Sequence, residues 1–335
     1  MSTKGLQNIS DIHCSYHTIL GACYCDDSRT LLKGLPDESV DLVVTSPPFA
    51  LLRVKEYGNV LQDEYVDWLE EFAAEVKRVL KPTGSFVLDL GGAYQRGSPV
   101  RSLYNYQVLI RFCKELGFNL AEEFFWYNPS KLPSPIEWVN KRKIRAKDSV
   151  NTVWWFSKTE HPKADIRNVL TPYSAKMKAL IKNRAKYYTP AMRPSGHNIS
   201  SQFGNDNGGA IPSNLLQIPN SESNSTYLRL SKELGTKSHP ARFPAKLPEF
   251  FIKFLTDKDD LVVDIFSGSN TTGEVCERLG RRWLAFDNDL SYVSNSVLRF
   301  IAPEYPDKQA VLDKINANEC VDLDKLKAQQ KYEQS

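Results

Sequence analysis

Short apolar strands alternate with amphipathic helices through the first half of this chain. The range Glu64 to Leu80 places aromatic and aliphatic side chains at helical spacing, and a Lys-Pro-Thr-Gly turn then interrupts the pattern. A buried strand follows from Ser85 to Leu90, and a second helix from Leu103 to Leu116 ends before Gly117. Such alternation is typical of strand–helix–strand units, so the sequence predicts an α/β fold with a doubly wound, mostly parallel sheet.

Another apolar strand, Asp41 to Thr45, runs directly into the turn Ser46-Pro47-Pro48-Phe49. Two prolines fix φ and remove two amide donors, so the hydroxyl and carbonyl groups of the turn face outward as acceptors. Ser46 and the Pro47 carbonyl could accept both N–H groups of an exocyclic amine while Phe49 stacks on a flat ring. A Pro-Pro pair alone is more often a simple turn, but the apolar lead-in and the aromatic residue favour a site for an aminated ring.

A small-residue turn near the other end of the chain is the second signal. The strand Leu261 to Asp264 leads into Ile-Phe-Ser-Gly-Ser-Asn-Thr and the start of a helix, where a ligand can approach the backbone. The turn lacks a G-x-G-x-x-G pattern and the lysine of a Walker A loop, so phosphate binding is the weaker interpretation. A further strand ends at Asp287, about 20 positions later, a spacing that suits a carboxylate on ribose hydroxyls. Such an aspartate also commonly caps a helix.

Together the two turns resemble the D-x-F-x-G and (S/N/D)-P-P-(F/Y) signatures of the S-adenosylmethionine-dependent amino DNA methyltransferases. Their order is that of the permuted β group, and the sequence is most similar to the PvuII-type cytosine-N4 modification enzymes. The resemblance runs from about Asp27 to about Phe300 and is most specific in residues 45–59, 128–145 and 239–273. It implies a Rossmann-like methyltransferase sheet with permuted motif order, duplex DNA as substrate and S-adenosyl-L-methionine as cofactor.

The resemblance also implies which residues form the site. In the methyltransferase sheet, the strand before the glycine turn lies beside the strand before Ser46, so donor and acceptor meet at one sheet edge. Asp27 would contact the cofactor adenine, Asp287 its ribose, and Phe243 the sulfonium by cation–π attraction, unless Phe243 is ordinary core. The other expected cofactor contacts are Pro244, Asp264, Phe266, Gly268, Ser269, Asn270 and Thr271.

Asp89 completes the predicted catalytic set of Ser46, Pro47, Pro48 and Phe49. It lies near the end of the strand expected beside the one that leads to Ser46, so its carboxylate is expected to accept the Ser46 proton and orient the oxygen. The alternative is that it binds the amides of the two following glycines and only shapes a turn.

Two basic runs and a polar segment suggest contact with DNA. Lys141, Arg142, Lys143 and Arg145 form a dense run that Lys147 extends, and a second run lies between Lys176 and Lys186; either could instead be a solvated face. Residues 160–235 are rich in Asn, Ser, Gly and Pro, which is typical of disorder or of a loop-rich target-recognition insertion. The predicted division is 1–159 catalytic half, 160–235 insertion, 236–302 cofactor half and 303–335 polar tail.

The predicted reaction is methylation of cytosine N4 in duplex DNA, after the base flips out. Chemistry alone does not separate cytosine N4 from adenine N6, but a serine at the start of the Pro-Pro turn resembles the N4 enzymes, so the resemblance implies N4. Adenine N6 remains an alternative, as do an RNA or protein amino methyltransferase and a silent DNA-binding regulator. No cysteine follows a proline, which disfavours cytosine C5 methylation. By resemblance, the target is the palindrome CAGCTG, protected from a paired restriction endonuclease.

Composition limits the remaining possibilities. The chain has 335 residues, 41% of them hydrophobic, which is enough for one large core and an insertion. The net charge is only +3, so a nucleic-acid site must come from local charge. Six cysteines without a C-x-x-C pair predict neither a metal site nor disulfides. With no apolar leader or span, we expect a cytoplasmic monomer that needs no stable protein partner and no membrane.

Overall fold

The computed structural model describes residues 13–50, 61–62, 64–184, 204–221 and 225–333, with backbone alone for 329–333. The chain divides into two compact units. The larger comprises the residues up to Lys163 and those from Asn214 onward, and the smaller is Ala164–Ser213. Lys186 of the second basic run and the polar stretch around residue 195 lie outside the described residues.

Ten strands and ten α-helices lie within the described ranges. The strands are β1 Cys14–His17, β2 Gly21–Cys25, β3 Val40–Thr45, β4 Leu80–Leu90, β5 Asn119–Tyr127, β6 Val150–Ser157, β7 Leu215–Gln217, β8 Leu261–Asp264, β9 Arg282–Asp287 and β10 Val321–Asp322. The helices are α1 Ser28–Lys33, α2 Tyr65–Val79, α3 Tyr104–Lys114, α4 Ala175–Lys182, α5 Thr226–Glu233, α6 Lys246–Leu255, α7 Thr271–Leu279, α8 Leu290–Ser296, α9 Lys308–Asn316 and α10 Leu323–Glu333.

All ten strands form one sheet in the order β10-β1-β2-β9-β8-β3-β4-β6-β5-β7. The five central strands, β2, β9, β8, β3 and β4, are mutually parallel. Strand β6 runs antiparallel to both of its neighbours, and β1 is antiparallel to β2. The prediction of a doubly wound, mostly parallel sheet is therefore confirmed.

Helices cover both faces of the central strands, which explains why β3 is buried at every position. Val43 packs in one cluster with apolar residues of α1, α2 and α3. Its neighbour Val44 points to the opposite face and approaches Leu247 and Phe251 of α6. Burial on both faces produces the continuous apolar run that the sequence shows before Ser46.

The predicted helices and strands of the first half lie close to the observed ones. Helix α2 begins one residue later and ends one residue earlier than expected, and it buries Tyr65, Leu69 and Phe72 along one stripe. The assigned range of β4 begins at Leu80, although its continuously buried part starts at Gly84. These buried stripes carry the periodicity that predicted them.

The prediction that residues 303–335 form a polar tail needs correction, because part of this segment packs on the rest of the chain. Helix α9 buries Val311, Leu312 and Ile315, and β10 pairs in parallel with β1. Abundant charged residues between these few apolar positions hid the helical spacing. The segment therefore extends the sheet at its β1 edge.

The smaller unit begins and ends inside the predicted insertion of residues 160–235. Residues 214–235 instead belong to the larger unit, because β7 pairs with β5. Within the smaller unit, a 3₁₀ turn, Ile166–Val169, precedes α4, and Thr171 pairs with Ala210. Three lysines of the second basic run are exposed on α4: Lys176, Lys178 and Lys182.

Candidate active site

The two signature turns lie side by side. Strand β3 pairs in parallel with β8, with Leu42 opposite Val262 and Val43 opposite Val263. Parallel strands end at the same edge of a sheet, so Ser46 and Phe266 leave neighbouring strand ends. The predicted adjacency of these strands is confirmed.

Asp264 joins the two turns from beneath. Its buried carboxylate accepts hydrogen bonds from the hydroxyl groups of Thr45 and Thr272, each at 2.6 Å, and from the amide of Phe266 at 3.2 Å. Burial raises the pKa of this carboxyl group, and these hydrogen bonds lower it. Asp264 does not line the cavity above it, so its position is that of a support between the turns.

That cavity opens between the two turns and the segment before α6. Among the predicted cofactor residues, Phe243, Phe266, Gly268, Ser269, Thr271 and Asp287 line it, as do Ser46 to Phe49. The other lining residues are His239, Ala241, Arg242, Ser267, Asn288, Asp289 and Tyr292. We name it the donor cavity.

The backbone of the glycine turn is held in an unusual conformation. Gly268 has φ +49°, and a Cβ there would lie 3.1 Å from the imidazole of His239. Burial lowers the pKa of His239 to about 4, so its ring is neutral near pH 7. Asn270 also has a positive φ, caps α7 through the amide of Gly273 at 2.9 Å, and is fully buried. Asn270 therefore shapes the turn without lining the cavity.

Asp287 lies at the floor of the donor cavity. Its carboxylate accepts from the amides of Gly268 at 2.7 Å and Asp289 at 3.0 Å, which joins the end of β9 to the glycine turn. Burial raises the pKa of Asp287 to about 6, although both amides oppose the shift. Asp27 instead caps α1 and pairs with Arg29 at 2.6 Å, and it is not among the cavity-lining residues. Pro244 is buried and likewise does not line the cavity.

A second cavity lies on the other side of the Pro-Pro turn. It shares Ser46, Phe49, Ala241, Arg242 and Phe243 with the donor cavity. Its remaining lining residues are Asp89, Trp126, Asn128, Lys131, Ser149, Asn151 and Asn220. We name it the acceptor cavity.

The Pro-Pro turn between the cavities is supported from two sides. The hydroxyl of Tyr65, the first residue of α2, donates to the carbonyl of Pro48 at 2.8 Å. The ring of Phe49 packs so closely on residue 91 that an added Cβ would lie 2.5 Å from it, which only glycine avoids. The ring therefore has a fixed position beside Ser46.

Asp89 lies within hydrogen-bond distance of Ser46. The register of β3 and β4 places Thr45 opposite Leu88, and the Ser46 hydroxyl donates to Asp89 at 3.0 Å. The second carboxylate oxygen accepts from the amide nitrogen of Asn151 at 3.1 Å. Burial raises the pKa of Asp89 to about 6, against these two hydrogen bonds and the charge of Lys131. The predicted contact between Asp89 and Ser46 is confirmed. The alternative expected the carboxylate to accept from the amides of Gly91 and Gly92, but its hydrogen-bond partners are Ser46 and Asn151.

The DNA methylase family model, N6_N4_Mtase, matches residues 40–298. The Type II methyltransferase M.PvuII of Proteus hauseri is 60% identical over 93% of this chain and 94% of its own length. This chain is a DNA methylase. A solved structure, PvuII DNA methyltransferase (cytosine-N4-specific), matches with TM-score 0.78 and 52% identity over 93% of this chain and 98% of that one. A complex of M1.HpyAVI with SAM matches with TM-score 0.50 and 18% identity over 84% and 100%, which shows the fold alone.

Sequence reasoning missed one residue that holds the glycine turn of the methylase. Arg299 is almost fully buried; it pairs with Glu274 at 2.6 Å and donates to the carbonyl and hydroxyl of Ser269 at 2.6 and 3.0 Å. Its guanidinium also lies 4.6 Å from the ring centroid of Tyr227. An arginine outside any signature carries no signal in the sequence for this contact.

The first basic run of the methylase is exposed on the segment between β5 and β6. Lys141 and Arg142 pair with Glu137 at 3.2 and 3.0 Å, and Arg145 donates to the carbonyl of Pro99. Lys143 has φ +55°. The segment begins at the acceptor cavity, since Asn128 and Lys131 line that cavity.

Two further features bear on what the methylase binds. Within the described residues, no group of three or more His, Cys, Asp or Glu side chains is arranged to hold a metal ion. In the same part of the chain, every helix is too short or too polar to cross a membrane.

Proposed function

We propose that this methylase transfers a methyl group from S-adenosylmethionine to the N4 amine of a cytosine that has flipped out of duplex DNA. The observation that carries the proposal is that Ser46 and Phe49 lie between two adjoining cavities. One cavity is bounded by the glycine turn and the other by Asp89. Such an arrangement suits a methyl donor on one side and an aminated base on the other. The cytosine-N4-specific PvuII enzyme, which is 52% identical to this chain, supports the choice of substrate.

The residues of the donor cavity fit S-adenosylmethionine. Asp287 offers carboxylate oxygens for ribose hydroxyls, and the missing Cβ of Gly268 lets a ligand approach the backbone. Phe243 would attract the sulfonium by its ring, with Pro244 fixing the segment behind it. Phe266, Ser269 and Thr271 would complete the contacts with the cofactor, while Asp264 and Asn270 hold the glycine turn. Asp27 remains a proposed contact with the adenine of the cofactor. When bound, S-adenosylmethionine would supply an electrophilic methyl carbon.

In the acceptor cavity, Phe49 would stack on the flipped base and offset part of the few kcal/mol that flipping costs. The Ser46 oxygen and the Pro47 carbonyl would accept the two N–H groups of the amine, with Pro48 keeping the turn rigid. These hydrogen bonds draw the nitrogen lone pair out of conjugation. As the nitrogen–carbon bond forms and the carbon–sulfur bond breaks, the nitrogen becomes acidic. Its proton passes to Ser46 as the Ser46 proton passes to Asp89.

Duplex recognition would use charge near the acceptor cavity and the smaller unit. Lys141, Arg142, Lys143 and Arg145 are proposed phosphate contacts. The predicted insertion, residues 160–235, contains the compact unit Ala164–Ser213, which we propose as the core of the target-recognition element. The resemblance to PvuII-type enzymes suggests the palindrome CAGCTG and a paired restriction endonuclease.

Mass spectrometry of digested duplex DNA, after incubation with S-adenosylmethionine, tests the proposal. N4-methylcytosine is expected, and Ser46→Ala is expected to reduce it strongly, whereas Ser130→Ala, an exposed serine near the same cavity, is not. Sequencing the methylated DNA identifies the site. N6-methyladenine as the sole product would favour the alternative, an adenine-N6 methyltransferase. Methylation of RNA or protein alone would exclude DNA as the substrate. Formation of 5-methylcytosine would overturn the role of the Pro-Pro turn.

A further inference from the structure

Lys131 is held at the rim of the acceptor cavity by its backbone. Its amide donates to the carbonyl of Asn128 at 3.2 Å, and its own carbonyl accepts from the ammonium of Lys147 at 3.1 Å. The side chain is partly buried and lines the cavity together with Asp89. Among the described residues, no acceptor or carboxylate binds its ammonium group. The backbone is thus fixed while the cation remains available to a ligand.

Several other side chains of this cavity donate to partners within the protein. The indole of Trp126 donates to the carbonyl of Ile218 at 2.9 Å, and the amide of Asn151 donates to Asp89. The amide of Asn220 donates to the carbonyl of Arg242 at 2.7 Å, and Arg242 donates to the carbonyl of His239. The charge of Lys131 acts on Asp89, whose two carboxylate oxygens accept from Ser46 and Asn151. Lys131 is therefore a cationic donor of this cavity whose ammonium group has no bound acceptor among the described residues.

The Watson–Crick edges of the two candidate bases differ in what they offer such a donor. Beyond its amine, cytosine presents two acceptors, ring N3 and carbonyl O2. Adenine presents one acceptor, N1, and then a C–H group. With the amine on Ser46 and the ring on Phe49, a donor that faces O2 of cytosine would face the adenine C–H. An unpaired buried donor strongly disfavours the wrong ligand.

From these contacts we propose that Lys131 selects cytosine by donating a hydrogen bond to O2 of the flipped base. The proposal rests on the proposed function and extends it, because it explains how one aminated base is preferred when both present the same amine to Ser46. Lys131 then acts in specificity, and Ser46 and Asp89 act on the amine.

The test compares two bases at the target position of a duplex oligonucleotide, in the site found by sequencing. One base is cytosine and the other is 2-thiocytosine, whose sulfur accepts hydrogen bonds poorly. Wild-type protein is expected to lose about tenfold or more in kcat/KM on the thio base, as for a lost hydrogen bond of about 1.4 kcal/mol. Lys131→Met should be slower on cytosine and should show little difference between the bases. Because the larger sulfur is present in every comparison, the change in ratio isolates the hydrogen bond.

Lys141→Met is the matched control, since Lys141 is exposed on the same segment and pairs with Glu137. It should keep the wild-type ratio at equal salt. Lys131→Met should also methylate adenine at the target position more readily, relative to cytosine, than wild type does. Thermal unfolding verifies that the variant is folded, and Lys131→Leu, which also lacks a donor, replaces it if it is not.

Two negative outcomes are distinguishable. If wild-type protein methylates no cytosine in any duplex, the proposed function fails. If wild type methylates cytosine but Lys131→Met or Lys131→Leu keeps the wild-type ratio between cytosine and 2-thiocytosine, the specificity role of Lys131 is overturned and the proposed function stands.

Discussion

Asp89 combines a buried carboxyl group with two neutral hydrogen-bond donors. Burial disfavours its charged form and raises its pKa to about 6, more than the hydrogen bonds from Asn151 and Ser46 lower it. A base with this pKa is partly protonated just below neutral pH, and near pH 7 it is mostly ionised yet still able to accept a proton. Sequence reasoning located Asp89 because a parallel neighbour of β3 could be inferred. It missed Asn151, because the antiparallel register of β6 on β4 leaves no local signal.

The first prediction concerns the pH dependence of methylation. At saturating cofactor, the single-turnover rate should rise with pH through about 6, because Asp89 must be ionised to accept the proton from Ser46. Asp89→Asn should remove this rise and lower the rate by about tenfold or more, at least ~1.4 kcal/mol in the barrier. Rapid-quench assays between pH 5 and 8 measure both.

The contribution of Asp89 to the free energy of unfolding should change with pH in the direction opposite to the methylation rate. Its folded pKa lies above the ordinary value of 3.8, so the native state binds the proton more tightly than the unfolded chain. The contribution of Asp89 to the free energy of unfolding should therefore fall as pH rises from about 4 to about 6. Two results for Asp89→Asn would contradict the proton-accepting role. One is a methylation rate with the same pH dependence as wild type, and the other is a loss of stability at pH 7 that matches the loss of rate.

At the scale of elements, helix α7 shows how one end of a helix builds the donor cavity. Asn270 closes the first turn through Gly273 and also donates to the hydroxyl of Tyr16 at 2.9 Å on β1. The strand–turn–helix pattern was predictable, because an apolar strand, small residues and a helix start follow one another in sequence. The roles of Asp264 and Asn270 as supports were not, since both depend on partners far along the chain.

The second prediction concerns the cap of α7. Asn270→Ala removes the cap and places alanine at φ +52°, so it should lower the free energy of unfolding by about 1–2 kcal/mol or more. Asn270→Gly tolerates this φ and should cost less. Both variants should weaken cofactor binding, measured by calorimetry, because the turn that lines the cavity loosens. Equal stability of the two variants in urea unfolding would show that the left-handed backbone contributes little.

At the scale of the whole molecule, charge is local although the total is small. The net charge of +3 conceals an exposed basic segment beside the acceptor cavity. The C-terminal region is a second example. Its composition predicts a polar tail, but a few apolar residues pack it against the sheet. Overall composition was a poor guide in both cases, because position relative to the sheet decides what a residue contacts.

The third prediction is that DNA binding depends strongly on salt. The double variant Lys143→Ala/Arg145→Ala should make the slope of log K against log salt shallower by about two units, because each phosphate contact contributes about 0.9. Lys314→Ala/Lys325→Ala, with the same change in charge on α9 and α10, serves as control. Equal slopes for the two double variants would assign the basic run to a solvated surface.

The hydrogen bond between Thr45 and Asp264 spans 219 positions of the chain. A ribosome adds roughly 5–20 residues per second, so Thr45 waits on the order of 10–45 seconds for its partner. Until then, the nascent chain presents the open β8-facing edge of β3. It contains every lining residue of the acceptor cavity but only about half of those of the donor cavity. Fragments that end before Leu261 should therefore be inactive and prone to associate through that edge, because methylation needs the glycine turn and β9 to complete the donor cavity.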